Sequence, residues 1–392
     1  MDLDAFGASP VGTLTPISGY DARFDRSYNY FAFVPAPLPD EVTLTTETVF
    51  VMSEADRALG QLNARIHFLP NPDLLVRPVL ATEAKATSAI EGTFATLDEI
   101  LTAEYADGTP TYELREIRNY IAAATEGLSL IQSLPVSRRV VEALHQILIR
   151  GTRGDGHDAG MLRQKQVFVG EEGAPVEDAR FVPVPNGRAL EEGFSDWEKW
   201  VNNDTHRIPL LAKVAMAHYQ FETLHPFSDG NGRLGRLIIT LQLIAAGELE
   251  HPVLNLSAWF EPRKAEYIDA LRDVSVTGDF DAWIRVFCEA VASRARAALR
   301  VIDALFEYRD TIVREAARAG HRRIGMEVAD FVIANPVFVI EDLRRALGVA
   351  TNTAARRVSE LVELGAVREI TGETYGRIYF ARAVARILEE TT

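Results

Sequence analysis

His225-Pro226-Phe227-Ser228-Asp229-Gly230-Asn231-Gly232-Arg233-Leu234-Gly235-Arg236 is the stretch whose reading decides the fold and the chemistry. It places an imidazole, a carboxylate, a side-chain amide, two guanidiniums and three glycines in one turn ahead of an apolar run over 234–246. A glycine-rich turn that feeds a helix N-terminus presents backbone N–H groups and the positive end of a dipole, which suits an anion. Arg233 and Arg236 stand at i and i+3 on one face of that helix, at the end where the dipole disfavours cations. A bound polyphosphate would reverse that cost. His225 alone reads as a core or loop residue. Beside an anion nest it suits a general base, because an imidazole titrates near neutral pH. Asp229 fits a single carboxylate beside phosphates, the usual setting for Mg²⁺, and helix N-capping is its other reading. Asn231 reads equally as a turn former, and Phe227 as core. The segment is therefore expected to be a nucleoside triphosphate site with its own base.

The surroundings narrow this. Gly230-Asn-Gly232-Arg-Leu-Gly235 also spells the dinucleotide fingerprint, but that fingerprint must follow a strand inside a βαβ unit. Residues 209–224 carry helical apolar spacing instead, which removes the dinucleotide reading. No Walker A pattern, zincin pattern, nucleophile elbow or cysteine-pair zinc pattern occurs.

Upstream, residues 1–45 are rich in Pro, Gly and aromatics without helical period, and read as an extended N-terminal arm. Helical spacing fills 48–66 and 71–92, with Pro78 as a point where the second helix kinks or restarts. Gly92 is the expected C′ residue, and Thr96-Leu-Asp-Glu99 is a capping box opening the next helix. Glu91 is thus a carboxylate at a helix C-terminus, where the dipole disfavours anions. Thr87 and Ser88, one turn earlier, are placed to orient it; a solvated surface glutamate is the plainer reading. Further helices are expected over 114–130, 140–150, 190–201, 209–224, 234–246, 261–274 and 281–318. Residues 166–170 and 179–183 are β-rich runs around a turn, a hairpin expected to be the only strand pair of the helical body. From about 322 three short helices precede two strands, at 367–370 and 376–380, the order of a winged helix. The expected organisation is an arm at 1–45, an N-terminal helical region at 46–135, a core at 136–290, a connector helix at 291–322 and a winged helix at 323–392.

Composition sets limits on function. A net charge of −15 over 392 residues argues against a dominant nucleic-acid or anionic-membrane role. One cysteine, Cys288, forms no internal disulfide and suits a reducing cytosol. No signal peptide is expected at residues 1–20, and no apolar run is long enough to span a bilayer. A cytoplasmic location without membrane contact follows as the expectation. In the winged-helix segment Arg344, Arg345, Arg356, Arg357, Arg368 and Arg377 are offset by acidic neighbours, so DNA binding is disfavoured against an interaction or homodimerisation role.

These residues carry a family resemblance. His225 to Arg236 matches H-x-F-x-[DE]-G-N-G-R-x-x-R, the signature of Fic-domain proteins, at every fixed position. Thr87-Ser-Ala-Ile-Glu91-Gly92 resembles the [ST]-x-x-x-E-[GN] inhibitory helix that some members carry before the core. Gly160-Met-Leu-Arg163, Gln166 to Gly170 and Phe181-Val-Pro183 resemble the segment leading into and forming the family's target-docking flap, with Val167, Phe168, Val169 and Gly170 at its centre. The resemblance implies a mainly α fold: a Fic-type helical bundle with a small β-hairpin flap, and a C-terminal winged helix. It implies transfer of AMP from ATP to a Ser, Thr or Tyr hydroxyl of a protein, the chain itself included. By it His225 is the base and Asp229 holds Mg²⁺ or Mn²⁺. Gly230, Asn231, Gly232 and Gly235 belong to the phosphate cradle, and Arg233 and Arg236 bind its β and γ oxygens. Glu91 would pair with Arg236 and obstruct the γ-phosphate. Tyr267 corresponds to a tyrosine near the adenine, where many relatives have a Tyr-Tyr pair and this chain has Ile268 second. AMP removal, another nucleotidyl or phosphoryl transfer, and a DNA-binding regulator are the competing readings.

Overall fold

The computed structural model describes residues 1–67, 73–105, 109–171, 173–205, 207–373 and 375–389. Among them the chain is mainly α-helical. It begins with α1 (Leu3–Gly7), the strands β1 (Gly12–Asp21) and β2 (Arg26–Pro35), α2 (Thr46–His67), α3 (Asp73–Ile90) and α4 (Leu97–Thr102). Next come α5 (Tyr112–Leu130), α6 (Arg138–Leu148), α7 (Arg188–Val201), α8 (Leu210–Leu224), α9 (Asn231–Ala245), α10 (Ser257–Phe260) and α11 (Lys264–Thr277). The unbroken α12 (Phe280–Arg318) leads to α13 (Met326–Ala334), β3 (Val337–Val339), α14 (Ile340–Leu347) and α15 (Thr351–Glu363). The chain closes with β4 (Arg368–Glu369), β5 (Ile378–Phe380) and α16 (Arg382–Glu389). It divides into two compact units. One holds Met1–Arg57, Ala122–Gly247 and Pro262–Ala292; the other holds Ala58–Ile121, Glu248–Glu261 and Ser293–Thr392.

The first unit is built around α8. Every residue of this helix except Leu210, Lys213 and Glu222 is buried, so it needs neighbours on all sides. Two indoles tie it in place: Trp197 of α7 donates to the Ala217 carbonyl (2.9 Å), and Trp283 of α12 donates to that of Ala215 (2.7 Å). Gly235 lets α9 approach, because a Cβ there would collide with Glu222 Oε1 and stand 3.1 Å from Phe221 Cδ1. The helix expected before the motif is therefore present, and no strand precedes the glycine turn.

Two strand expectations are corrected here. Residues 1–45 are more than an extended arm: β1 and β2 pair antiparallel from Gly12↔Pro35 to Asp21↔Arg26. Conversely, 166–170 and 179–183 share a single antiparallel bridge, Val169↔Phe181, around a 3₁₀ turn at Val176–Asp178. The expected lone strand pair of the body is thus neither alone nor the longest. Pro175, Pro183 and Pro185 lack the N–H groups a longer ladder would need. The hairpin and this flap hold one another. Ala32 packs with Val176, Ala179 and Val182, Tyr28 meets Phe168 edge-on at 5.4 Å, and Phe33 N–H donates to Val182 O (2.9 Å).

In the second unit α3 is continuous through Pro78, so of the kink or restart expected there, the restart does not occur. Pro78 lies in the second turn, so the Leu74 carbonyl is the one acceptor the missing N–H leaves. The start of this helix, read at Asn71-Pro72, lies outside the described residues. Buried Glu83 accepts from the Ser257 N–H (3.1 Å) and hydroxyl, which fixes α3 to the start of α10. The capping box at Thr96 and Glu99 opens α4 as read. Residues 326–389 form helices α13 to α15, a sheet in the order β3-β5-β4, and α16, so β3 and α16 add to the elements expected. No described helix is long and apolar enough to cross a membrane.

Candidate active site

α8 ends by delivering His225 at its C-cap in a left-handed conformation, φ 49° and ψ 60°. His225 and Asp25 are the described non-glycine residues with positive φ. Such a conformation costs on the order of 1–3 kcal/mol and persists where neighbours impose it. The imposing groups are visible. Arg163, fully buried, donates through Nε to the His225 carbonyl (2.9 Å) and through Nη2 to the Leu224 carbonyl (3.5 Å), while its own N–H donates to Pro226 O (2.9 Å).

The turn that follows is stapled from within. Asn231 Oδ1 accepts from the Phe227 N–H (2.9 Å) and its Nδ2 donates to the Phe227 carbonyl (2.8 Å). Its side chain is thus engaged by the loop, which favours the turn-forming role. Phe227 is core, as expected, and stacks on His145 with ring centroids 3.9 Å apart. His145 Nδ1 accepts from the Gly160 N–H (3.0 Å), so Nε2 carries the proton and donates to the Asp229 carbonyl (3.0 Å). Burial pulls this imidazole down to about 4, so it is neutral at pH 7.

Asp229 Oδ1 accepts from the Gly230 N–H (2.6 Å) and lies 3.4 Å from Arg233 Nη2, with the Asp229 side chain 43% exposed. Gly154 backs it so closely that a Cβ there would collide with the carboxylate. Gly230 takes φ 78°, and a Cβ on it would stand 3.3 Å from Ile149 and Leu148. Helix α9 then starts at Asn231, so Asn231 and Gly232 stand where a helix leaves its first N–H groups without intrahelical acceptors. Arg233 and Arg236 are both buried at this end.

Tyr267 of α11 is buried, its hydroxyl 2.7 Å from His218 Nε2. Burial, then the charge of Arg236, pulls His218 down to about 3. A groove of about 750 Å³ lies between the β1–β2 hairpin and the flap, lined among others by Tyr28, Lys165, Val167, Phe168, Gly170 and Ser228 of the 225–236 turn. Among the described residues no cluster of three His, Cys, Asp or Glu side chains suits a metal ion held by protein alone.

Thr87, Ser88 and Glu91 belong to the second unit. Thr87 and Ser88 are fully buried on the last turn of α3, and Glu91 is exposed just beyond it, ahead of Gly92 at φ 90°. The motif residues were readable in sequence, whereas the positioning parts His145 and Arg163 were not assigned. His145 had a signal: it falls in the apolar stripe of α6 with Val141, Leu144 and Leu148. Arg163 had none, since all but one of its side chain's carbonyl partners come from remote segments.

Residues 50–129 match the Fic/DOC family N-terminal region, and residues 135–243 match the Fic/DOC family. Over 161 residues the chain is 33% identical to protein adenylyltransferase fic-1 of Caenorhabditis elegans, covering 41% of this chain and 28% of that protein. Over 244 residues it is 25% identical to protein adenylyltransferase Fic of Drosophila melanogaster, covering 61% of this chain and 46% of that protein. The chain therefore spans less than half the length of these curated relatives. A solved Fic family protein from Desulfovibrio desulfuricans shares the fold, with a TM-score of 0.54 at 20% identity over 87% of this chain and 97% of that one. Motif and sequence matches agree: the chain carries a Fic/DOC family region at 135–243, preceded by the family's N-terminal region at 50–129.

Proposed function

We propose that the chain is a protein adenylyltransferase, moving AMP from ATP to a protein hydroxyl and held back by Glu91. The observation that carries this reading is the constrained turn from His225 to Arg236: an imidazole held in a left-handed bend, directly ahead of a helix N-terminus that buries two arginines. The names of the relatives point the same way. In this reading the acceptor hydroxyl oxygen bonds to the α-phosphorus, the bond to pyrophosphate breaks, and His225 takes the hydroxyl proton. Arg233 and Arg236, with the amides at the start of α9, neutralise charge on the departing pyrophosphate. Asp229 is partly exposed beside this helix end, which fits one protein carboxylate in a Mg²⁺ or Mn²⁺ shell otherwise made of phosphate and water. Such an ion would supply charge neutralisation on the phosphates.

The acceptor segment would lie along the flap. Val169 spends both backbone groups on Phe181, so strand geometry turns those of Phe168 and Gly170 to the opposite edge, available for strand addition. Glu91, at the end of α3, would act as the counter-charge to Arg236 that the resemblance implies. For residues 323–392 the reading is a winged helix in an interaction role, supported by the order helix, strand, helix, helix, strand, strand.

The test is self-modification by ATP labelled on the α-phosphorus or on the γ-phosphorus. Incorporation of α-label, increased by Glu91→Gly and abolished by His225→Ala, is the expected result. Incorporation of γ-label instead would replace AMP transfer by phosphoryl transfer.

A further inference from the structure

We infer that Arg163 is a positioning residue for the proposed transfer: its guanidinium sets the backbone of His225 and ties both ends of the flap to the catalytic turn. This rests on the reading of His225 as the base. Arg163 has no exposed surface, and among the described residues every acceptor of its side chain is a backbone carbonyl. Those carbonyls fall in two groups. Leu224 and His225 belong to the end of α8, and the arginine's own N–H adds Pro226, so three consecutive carbonyls converge on one residue. Lys165 (3.4 Å, from Nη1) and Val184 (from Nη2) belong to the two ends of the flap.

The energetics point to position and not to packing. A guanidinium taken out of water without a carboxylate partner is expensive, and an apolar side chain would fill the same volume at lower cost. Burial pulls this group down to about 10, so it keeps its charge at pH 7. What it supplies is a rigid planar fork, which an ammonium on a flexible stem does not reproduce. A helix that simply ended would point the carbonyls of Leu224, His225 and Pro226 along different directions. Gathering them forces the bend at His225, and the bend sets the direction of its Cα–Cβ bond. Since the same fork grips Lys165 and Val184, the distance from the flap base to that imidazole is fixed as well. None of these acceptors belongs to Arg233 or Arg236, and Arg163 itself does not line the groove.

Arg163→Ala and Arg163→Lys, each in the Glu91→Gly chain, test this through transfer rate, ATP affinity, thermal melting and the His225 ring resonance, assigned by its loss in His225→Ala. For Arg163→Ala the expected result is a rate lower by about 100-fold, the scale of a misplaced reacting group, with ATP affinity within a few-fold of the parent. Methylguanidinium at non-denaturing concentration should restore part of the rate, whereas Arg163→Lys should stay impaired although folded. The His225 resonance should shift in both variants. An unchanged rate, or a rate and ATP affinity that fall together with melting and are not rescued, would overturn the inference. If the Glu91→Gly parent transfers nothing, the transferase reading fails. The resonance still decides the position of His225, since an unshifted signal in folded Arg163→Lys also overturns the role of Arg163.

Discussion

His145 and Asp229 are joined across 84 residues by one hydrogen bond, from the imidazole Nε2 to the Asp229 carbonyl. A second bond requires a neutral imidazole, because Nδ1 must accept from the Gly160 N–H while Nε2 donates. One side chain therefore connects the 151–160 loop, the stacked Phe227 ring and the residue read as the metal carboxylate. Its pKa falls from the ordinary 6.5 to about 4 through burial.

Acid should loosen the 225–236 turn through this histidine. Between pH 6.5 and about 4 the unfolded chain binds the proton that folded His145 refuses, so stability drops as pH falls through that window. The slope is about 1.4 kcal/mol per pH unit for each such group. His218, pulled to about 3, adds the same sign of slope. Urea unfolding across the window should show His145→Gln losing one proton's worth of dependence relative to the parent. Equal slopes would mean that His145 is protonated in the folded chain.

Asn231 should matter to the turn before it matters to any ligand. Asn231→Ala strips partners from both the N–H and the carbonyl of Phe227, in a place without solvent. The expected loss is roughly 2–3 kcal/mol in unfolding free energy, with ATP affinity falling because the start of α9 shifts. Asn231→Asp keeps the acceptor but sets a carboxylate against the Phe227 carbonyl, and should rescue little. A loss of ATP affinity at unchanged stability in Asn231→Ala would return the amide to direct phosphate contact.

How far the sequence could be read depends on where each residue's partners sit. The His225–Arg236 turn, the α8 helix before it, Gly92 and the Thr96 capping box were legible because their geometry is local. The β1–β2 hairpin was not. Its turn, Ala22-Arg-Phe-Asp25, holds no glycine, and the left-handed position falls to Asp25, so the usual hairpin signal is missing. Only the alternation of Tyr28, Tyr30 and Ala32 toward the flap side hinted at a strand. Arg163 was opaque for the opposite reason, and His145 showed only as a member of the apolar stripe of α6. Most of the backbone groups their side chains reach lie far off in sequence, and no spacing records that.

Divalent metal should be required for transfer. With one partly exposed carboxylate at the site and no cluster of three among the described residues, affinity for the bare ion should be weak and rise sharply with ATP. Chelator should abolish incorporation of α-label, and Asp229→Asn should need on the order of tenfold more Mg²⁺ for half its maximal rate. Undiminished turnover in chelator would remove the metal role from Asp229.

Two glycines in helices should respond to alanine with opposite signs. Gly60 lies inside α2 with no atom within 4 Å of where an added methyl would stand, so Gly60→Ala should stabilise the chain by about 0.5–1 kcal/mol. At Gly235 the added methyl meets Glu222 Oε1 and Phe221, on the surface where α8 and α9 pack. Gly235→Ala should cost about 1–3 kcal/mol as overpacking. It should also weaken ATP binding, since the displaced segment carries Arg233 and Arg236. Urea unfolding and ATP titration of both variants separate packing from ligand contact. Weakened ATP binding at parental stability would mean that Gly235 serves the ligand directly, and a loss of stability with intact binding would mean that the first turn of α9 tolerates the shift.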